Sequence, residues 1–176
     1  MVTPVPGRQV PGRQEAYRVA AGTPDPELPM LTIADLGILR EVTVAAEPGE
    51  VVVTITPTYS GCPAMREIAA DVTARLRRAG FERVTVATRL APPWTTGWIT
   101  AEGKRKLAAH GIAPPPGARL PARSGVPLTL GRRPSTRCPR CGSPDTELTA
   151  RFGATACKSL HRCAACGEPF EAVKPL

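Results

Sequence analysis

Two cysteine pairs near the end of the chain constrain its fold more than any other feature. Cys138 and Cys141 form one C-x-x-C pair, Cys163 and Cys166 form another, and a glycine follows each pair. Two intervening residues let both sulfurs of a pair reach one metal ion. The glycine permits a tight turn that points backbone N–H groups at the thiolates. A segment this small needs such a site to be stable, so residues 137–176 are predicted to form a zinc β-ribbon.

The identity of the metal is left open by this spacing. Four thiolates hold a zinc ion or an iron–sulfur cluster equally well. Disulfides are disfavoured, because the N-terminal residues lack the pattern of a secretion signal and we expect a cytoplasmic protein. A filled tetrahedral site has no open position, so zinc here is expected to be structural. Cys157 lies outside both pairs. We interpret it as a small buried ribbon residue, with an auxiliary thiol helped by Lys158 as the alternative.

Composition divides the remaining chain into three segments. Residues 1–14 repeat the element PGRQ without an apolar period, which predicts a disordered arm. Residues 15–111 carry alternating and helical apolar patterns and are predicted to be a folded domain. Residues 112–136 are rich in proline and arginine and are predicted to be a linker to the ribbon.

The patterns within residues 15–111 predict an α+β domain with a small β-β-α-β sheet and packed helices. Segments 38–45 and 50–56 alternate apolar and polar residues, which is typical of a hairpin with one buried face. An amphipathic helix begins after Pro63 and ends at Gly80, and segment 81–90 returns to a strand pattern. Flanking helices are predicted at 13–21 and 100–110.

Cys62 is the single cysteine of this domain, and it lies immediately before the amphipathic helix. A thiol at a helix N-terminus faces unpaired N–H groups, so we expect its thiolate to be favoured. The residue is therefore a candidate reactive thiol or soft-metal ligand, and a small packed side chain is the alternative. Asp25 and Glu27 are candidate ligands or caps of the following turn. No histidine is placed to form a triad with Cys62, and no dinucleotide fingerprint is present, so no catalytic residues are predicted.

Charge and hydropathy bear on possible partners. The formal net charge is +8, and most of the basic surplus lies after residue 110. Much of that charge surrounds cysteines whose thiolates would cancel part of it, so nucleic-acid binding is disfavoured. No apolar run approaches the ~20 residues of a membrane span, so no membrane partner is expected.

Several separated motifs resemble known families. The segments Asp25-Pro-Glu-Leu-Pro29, Leu31–Gly37 and Thr56–Pro63 resemble the iron–sulfur cluster assembly domain family, which includes the bacterial SufT protein. The segment Ala91–Thr100, together with the two cysteine pairs and Phe152–Lys158, is similar to the PaaD family. Proteins of that family are encoded with the multicomponent phenylacetyl-CoA epoxidase of aerobic phenylacetate degradation.

The resemblance implies a set of functional residues. The characteristic cysteine of the assembly family maps onto Cys62. Asp25 and Glu27 map onto its acidic motif, and Thr58 and Ser60 map onto the polar loop around the cysteine. The ribbon cysteines map onto Cys138, Cys141, Cys163 and Cys166, and Cys157 matches a further recurrent position. Some PaaD-like chains carry another cysteine close to the C-terminus, whereas this chain ends in Glu-Ala-Val-Lys-Pro-Leu.

The resemblance also implies a function, which is that of a non-catalytic accessory subunit maturing the iron or iron–sulfur centres of the epoxidase. Its partners would be the other epoxidase subunits, including oxygenase or reductase apo-proteins. Cys62 would be a transient iron or cluster ligand, and the ribbon would hold structural zinc. The alternatives are a structural or regulatory component of the oxygenase complex, a general iron–sulfur assembly factor and, ranked last, a thiol enzyme. Homodimer formation is left open.

Overall fold

The computed structural model describes residues 12–45, 50–115 and 136–175. Most of the arm predicted over 1–14 and most of the linker predicted over 112–136 lie outside these residues. The boundaries assigned to those two segments therefore stay predictions. No helix among the described residues is both long and apolar enough to cross a membrane.

The first sheet has the predicted β-β-α-β order. Strand β1 (Leu39–Val44) pairs antiparallel with β2 (Glu50–Ile55), and β2 pairs in parallel with β3 (Arg83–Thr88). The parallel connection runs through helix α2 (Ala64–Arg78). The predicted α+β fold class is confirmed, and strand and helix bounds lie within a few residues of those predicted.

The core of the first domain follows from the apolar periods. Helix α2 has its apolar residues on one face, and its Val72 and Leu76 are fully buried. Alternate residues of the central strand, Val51 and Val53, are also fully buried and belong to the same core. Each fully buried side chain of this kind stabilises the fold by about 1.5–3 kcal/mol relative to exposure.

Two further helices and an aromatic loop complete the first domain. Helix α1 (Arg13–Ala21) matches the predicted segment, and α3 (Ala101–Ala109) lies within the predicted 100–110. The loop after β3 contains a short 3-10 helix at Thr96–Trp98. The indole of Trp94 donates a hydrogen bond of 2.9 Å to the carbonyl oxygen of Leu36, which ties this loop to the turn before β1.

The second sheet is larger than the predicted ribbon. Its strands are β4 (Ile112–Ala113), β5 (Thr146–Ala150), β6 (Lys158–Cys163) and β7 (Pro169–Val173), in the order β4-β7-β6-β5. The short strand β4 pairs in parallel with β7, although its residues were predicted to begin the linker. Two residues are too few to show an alternating pattern, so sequence periodicity does not reveal such a strand.

The two parts of the chain share one core. Ile112 and Val173, the ends of two strands of the second sheet, are buried with the apolar residues of the first domain. A smaller cluster around Cys138, Cys163 and Phe170 forms the interior of the ribbon. The ribbon is therefore packed against the first domain, and residues from both can line a common site.

Candidate metal sites

The four ribbon cysteines converge as predicted. The sulfurs of Cys138, Cys141, Cys163 and Cys166 all lie within 4.8 Å of one another. Cys138 Sγ is 3.8 Å from Cys166 Sγ, and Cys141 Sγ is 3.6 Å from Cys163 Sγ. A tetrahedral zinc ion with bonds of about 2.3 Å requires neighbouring sulfurs about 3.8 Å apart. The donor set and its spacing therefore fit one tetrahedral ion.

The backbone of the ribbon supports this site. The six cysteines are unpaired, and the ribbon sulfurs are 3.6 Å and 3.8 Å apart rather than about 2.05 Å apart, as in a disulfide bond. Gly142 and Gly167 follow the two pairs with φ of 74° and 78°, the left-handed conformation for which glycine was expected there. The N–H groups of Cys166 and Ala165, together with the thiols of Cys141 and Cys166, lower the pKa of the Cys163 thiol to about 7. A backbone hydrogen bond from Ser143 lowers the pKa of Cys141, but the neighbouring thiols raise it to about 12. The thiols therefore share protons, and metal binding would release them.

A second potential site is a cavity of about 30 Å³ between the first domain and the ribbon. Its wall is largely apolar and includes Leu36, Ile38 and Trp94. Polar and sulfur-bearing side chains come from both parts of the chain, and they are Asp25, Glu27, Thr58, Cys62, Cys157 and Lys174. The structure therefore brings together most of the residues predicted as a site in the first domain and adds Cys157 from the ribbon. Ser60 is exposed and does not line the cavity.

Cys62 occupies the predicted place before α2, but its ionisation differs from the prediction. Burial raises the pKa of the Cys62 thiol, and the nearby Glu27, Asp25 and Cys157 add to that increase. A backbone hydrogen bond from Ala64 lowers the pKa of the Cys62 thiol, as expected at a helix N-terminus. Burial and the neighbouring groups raise the pKa by more than this hydrogen bond lowers it. The expectation that the thiolate is favoured was wrong, because burial among acidic neighbours cannot be seen in local sequence.

Asp25 has both of the roles considered for it. Its Oδ1 accepts hydrogen bonds from the backbone N–H groups of Glu27 (2.9 Å) and Leu28 (2.8 Å), so it caps the turn that follows. Its side chain also lines the cavity, and burial raises its pKa above the usual value. The pKa of Glu27 is raised as well, first by burial and then by Asp25. The cavity thus holds two closely placed acids in apolar surroundings.

Cys157 lies at the end of the loop that joins β5 to β6. It is half-buried, and its sulfur is 3.1 Å from the hydroxyl of Thr155. Burial raises the pKa of this thiol too. Lys174 holds the loop from the other side, since its backbone N–H donates to the Cys157 carbonyl (3.0 Å) and its Nζ donates to the Ala156 carbonyl (2.7 Å). Cys157 is therefore part of a cavity wall rather than a residue of the ribbon interior.

Sequence reasoning missed the contribution of the last strand and its neighbours. Val173 and Lys174 line the cavity, yet no local motif marks them. Tyr59 was quoted only as part of a loop, but its phenol lies beside Cys62 and its pKa is raised, chiefly by burial. Among the described residues, the ribbon cysteines form the only group of three or more His, Cys, Asp or Glu side chains placed to hold one metal ion. The ligands of the cavity are therefore more widely spaced than those of the ribbon.

Known families match the two domains of the chain separately, and one relative matches both domains together. Residues 17–88 match a family described as iron–sulfur cluster assembly protein, and residues 122–174 match the PaaD zinc beta ribbon domain. A relative in Porphyromonas gingivalis, an Fe-S protein maturation auxiliary factor, is 30% identical and covers 53% of this chain and 89% of its own. The crystal structure of a domain of unknown function, DUF59, from Bacillus anthracis is 28% identical. It covers 54% of this chain and 90% of its own, with a TM-score of 0.50.

One relative spans both domains. A protein of Escherichia coli strain K12, assigned as one of the subunits of 1,2-phenylacetyl-CoA epoxidase, is 42% identical over 168 residues, which is 93% of each chain. That match runs through the first domain and through the ribbon. On this evidence, the chain belongs to the PaaD family, in which an iron–sulfur assembly-type domain precedes a zinc β-ribbon.

Proposed function

We propose that this chain is a non-catalytic accessory subunit of the phenylacetyl-CoA epoxidase system, and that it matures iron or iron–sulfur centres in its partner subunits. The relatives support the pathway and the class of activity, since one is assigned as an epoxidase subunit and another as a maturation factor. The observation that carries the proposal is the shared cavity, where Cys62 and Cys157 from two domains meet Asp25 and Glu27.

The donor set of the cavity suits temporary binding of iron. Thiolates bind the softer states of iron, and carboxylates bind its harder states, so both kinds of ligand are at hand. The ligand atoms are not gathered as tightly as those of the ribbon. A site that must reorganise in order to bind holds its metal less tightly, which suits delivery to a partner. The ribbon, in contrast, has the closed geometry of a permanent structural site.

The properties of Cys62 argue against a thiol enzyme. Catalytic cysteines are activated by a lowered pKa, whereas burial raises the pKa of Cys62. The two acidic groups that act on it, Glu27 and Asp25, raise its pKa further rather than stabilise its thiolate. We therefore assign Cys62 the role of a transient ligand, with Asp25, Glu27 and Thr58 as supporting residues.

The proposal is tested by expressing the epoxidase subunits with the wild-type chain, without it, and with Cys62→Ser. Ala70→Ser, at an exposed position of α2, is the matched control. We expect the subunits to be expressed in every case, but to be poor in iron when the chain is absent or carries Cys62→Ser. Iron per complex is measured by mass spectrometry of the purified subunits.

Two outcomes would contradict the proposal. Full iron content and activity with Cys62→Ser would remove the role of that thiol. Co-purification of this chain with the active epoxidase in a fixed ratio, with no effect on iron content when it is omitted, would identify a structural or regulatory component instead.

A further inference from the structure

Three arginines from two helices border an open cleft that the proposed function does not use. The cleft has a volume of about 270 Å³, and it is lined by Arg18, Val19 and Gly22 at the end of α1 and by Arg75 and Arg78 of α2. Arginines in the last turn of a helix ordinarily interact with its dipole. Here they come from two different helices and face one space, so a second role has to be considered.

The packing of α1 on α2 explains why this space exists. Ala16 and Ala20 of α1 are fully buried in the same core as Val72 and Leu76 of α2. Small residues at the contact let the two helices approach closely. The longer arginine side chains lie along the rim, with their charged ends in solvent. Gly22 adds no side chain to the cleft, so the space between the arginines stays open.

Each of the three guanidinium groups is held on its own helix through Nε. Arg18 donates from Nε and Nη2 to one carboxylate, at 2.9 Å and 2.6 Å. Arg75 Nε donates to Asp71 Oδ2 at 2.8 Å, and Arg78 Nε donates to the carbonyl oxygen one turn earlier at 3.2 Å. Within residues 12–45, 50–115 and 136–175, the Nη groups of Arg75 and Arg78 make no hydrogen bond. These donors are therefore oriented and free, which lowers the entropy lost on binding.

The charge and the size of the cleft favour a small anion. Its three guanidinium groups outnumber the two carboxylates paired with them, so the site keeps a positive charge. Guanidinium groups match the oxygens of phosphate in paired hydrogen bonds. At roughly 10–15 Å³ for each water-sized atom, the cleft has room for about twenty of them, which is a phosphate group and part of its carrier.

The lining is less suited to a protein partner. Val19 is its one apolar side chain, whereas protein interfaces have an apolar core and bury about 800 Å² on each partner. From these observations we infer that the cleft between α1 and α2 binds the phosphate group of a small phosphorylated metabolite. Arg75 and Arg78 donate to the phosphate directly, and Arg18 completes the contact from the opposite helix.

This site is separate from the cavity that contains Cys62. Cys62 precedes the first turn of α2, and the cleft lies at its last turn. With a rise of about 1.5 Å per residue, the helix places the two sites roughly 20 Å apart. The inference therefore goes beyond the proposed function and does not depend on it.

The test uses the full chain with its ribbon filled with zinc, at an ionic strength fixed with chloride. ADP and inorganic phosphate are the probes, and amide NMR spectra show where they bind. We expect saturable shifts at residues 18–22 and 75–78. Arg75→Gln and Arg78→Gln should each weaken ADP binding by about tenfold, as expected when a hydrogen bond to a charged group is lost. Arg77→Gln is the matched control, because it removes the same charge from an exposed position of the same turn that does not line the cleft.

Three results would overturn the inference. Equal weakening by Arg77→Gln and Arg78→Gln would show attraction to the overall charge of α2 rather than binding in the cleft. Absence of shifts at millimolar ADP would show that no phosphate site exists. Binding of a glutamate-rich peptide at the same amides, without displacement by ADP or phosphate, would assign the cleft to an acidic protein partner. The melting temperature shows that each variant is folded, and Cys62→Ser should leave ADP binding unchanged.

Discussion

The ammonium of Lys158 lies 2.6 Å from Glu171 Oε2, and this ion pair joins β6 to β7 beside the loop that carries Cys157. The Lys158 side chain is only 6% exposed. The other carboxylate oxygen of Glu171 accepts a hydrogen bond of 3.2 Å from the backbone N–H of Ala154, within the loop. The Lys158–Glu171 pair therefore links strands β6 and β7 to the loop that positions Cys157. Lys158 thus forms its ion pair with Glu171. Burial raises the pKa of Cys157, and the charge of Lys158 acts against that increase, as the sequence suggested.

Replacing Lys158 by methionine should destabilise the chain by about 3 kcal/mol, because it leaves Glu171 without its partner at a mostly buried place. The free energy of unfolding in urea measures this loss. The loop should also loosen, so iodoacetamide should label Cys157 faster in the variant. Arg105→Ala is the control, since it breaks an ion pair whose side chains are 69% and 48% exposed and should cost less than about 1 kcal/mol. Equal losses for the two variants would contradict a structural role for the buried pair.

Removal of the ribbon metal should displace Cys157 from the cavity, because strand β6 joins this residue to a metal ligand. Cys157 directly precedes β6, and the metal ligand Cys163 ends that strand. Cys138→Ser, or treatment with a chelator, should therefore release the strands of the ribbon and withdraw Cys157 from the cavity. We expect amides of β5–β7 to exchange rapidly with solvent, while those of β1–β3 stay protected. Unchanged protection of β6 after complete loss of metal would show that the ribbon does not depend on its ion.

The sequence predicted those parts of the fold that depend on local periodicity or on a local spacing rule. The hairpin, helix α2 and the convergence of Cys138 with Cys141, Cys163 and Cys166 are of this kind. Each of them follows from residues that are close in the chain or from two repeated motifs. The fold class and the ribbon ligands could therefore be predicted with residue numbers.

The features that the sequence did not predict depend on contacts between residues that are distant in sequence. Strand β4 exists because β7 offers it a free edge, and the partner of Ile112 is Glu171. The cavity exists because Val173 and Cys157 pack near Cys62, and no periodic pattern links these positions. The raised pKa of Cys62 has the same origin, since its main cause is burial by residues from other segments.

Asp35 and Lys106 should make stability depend on pH. Their side chains are 11% and 29% exposed, and Lys106 Nζ lies 2.7 Å from Asp35 Oδ2. Burial alone would raise the pKa of Asp35, but Lys106 and the hydrogen bonds from Thr32 together lower it. A carboxyl with a lowered folded-state pKa stabilises the fold above its unfolded pKa of about 3.9, and this contribution is lost as the pH falls through the folded value.

Asp35→Asn should therefore destabilise the chain by about 1.5–3 kcal/mol at pH 7, which is typical of a hydrogen bond to a charged group. The difference in unfolding free energy between wild type and variant should shrink as the pH falls below about 4. Urea unfolding at a series of pH values measures it. Asp71→Asn is a suitable control, since its pair with Arg75 lies on the helix surface at 34% and 36% exposure. A difference that stayed constant down to pH 2 would mean that the charge of Asp35 does not contribute.

Gly103 should tolerate alanine poorly, although it lies within helix α3, where alanine is ordinarily favoured by about 1 kcal/mol. A Cβ atom at this position would lie 2.7 Å from the backbone oxygen of Asp35. That oxygen accepts the N–H of Thr100 at 2.9 Å, so it cannot move without breaking the start of the helix. We expect Gly103→Ala to lower the free energy of unfolding by about 1–3 kcal/mol, the usual cost of overpacking. Gly22→Ala is the control, because its Cβ would lie at an ordinary 3.5 Å from the Arg18 oxygen. If Gly103→Ala stabilised the chain as helix propensity alone predicts, the close approach of α3 to the turn at Asp35 would be wrong.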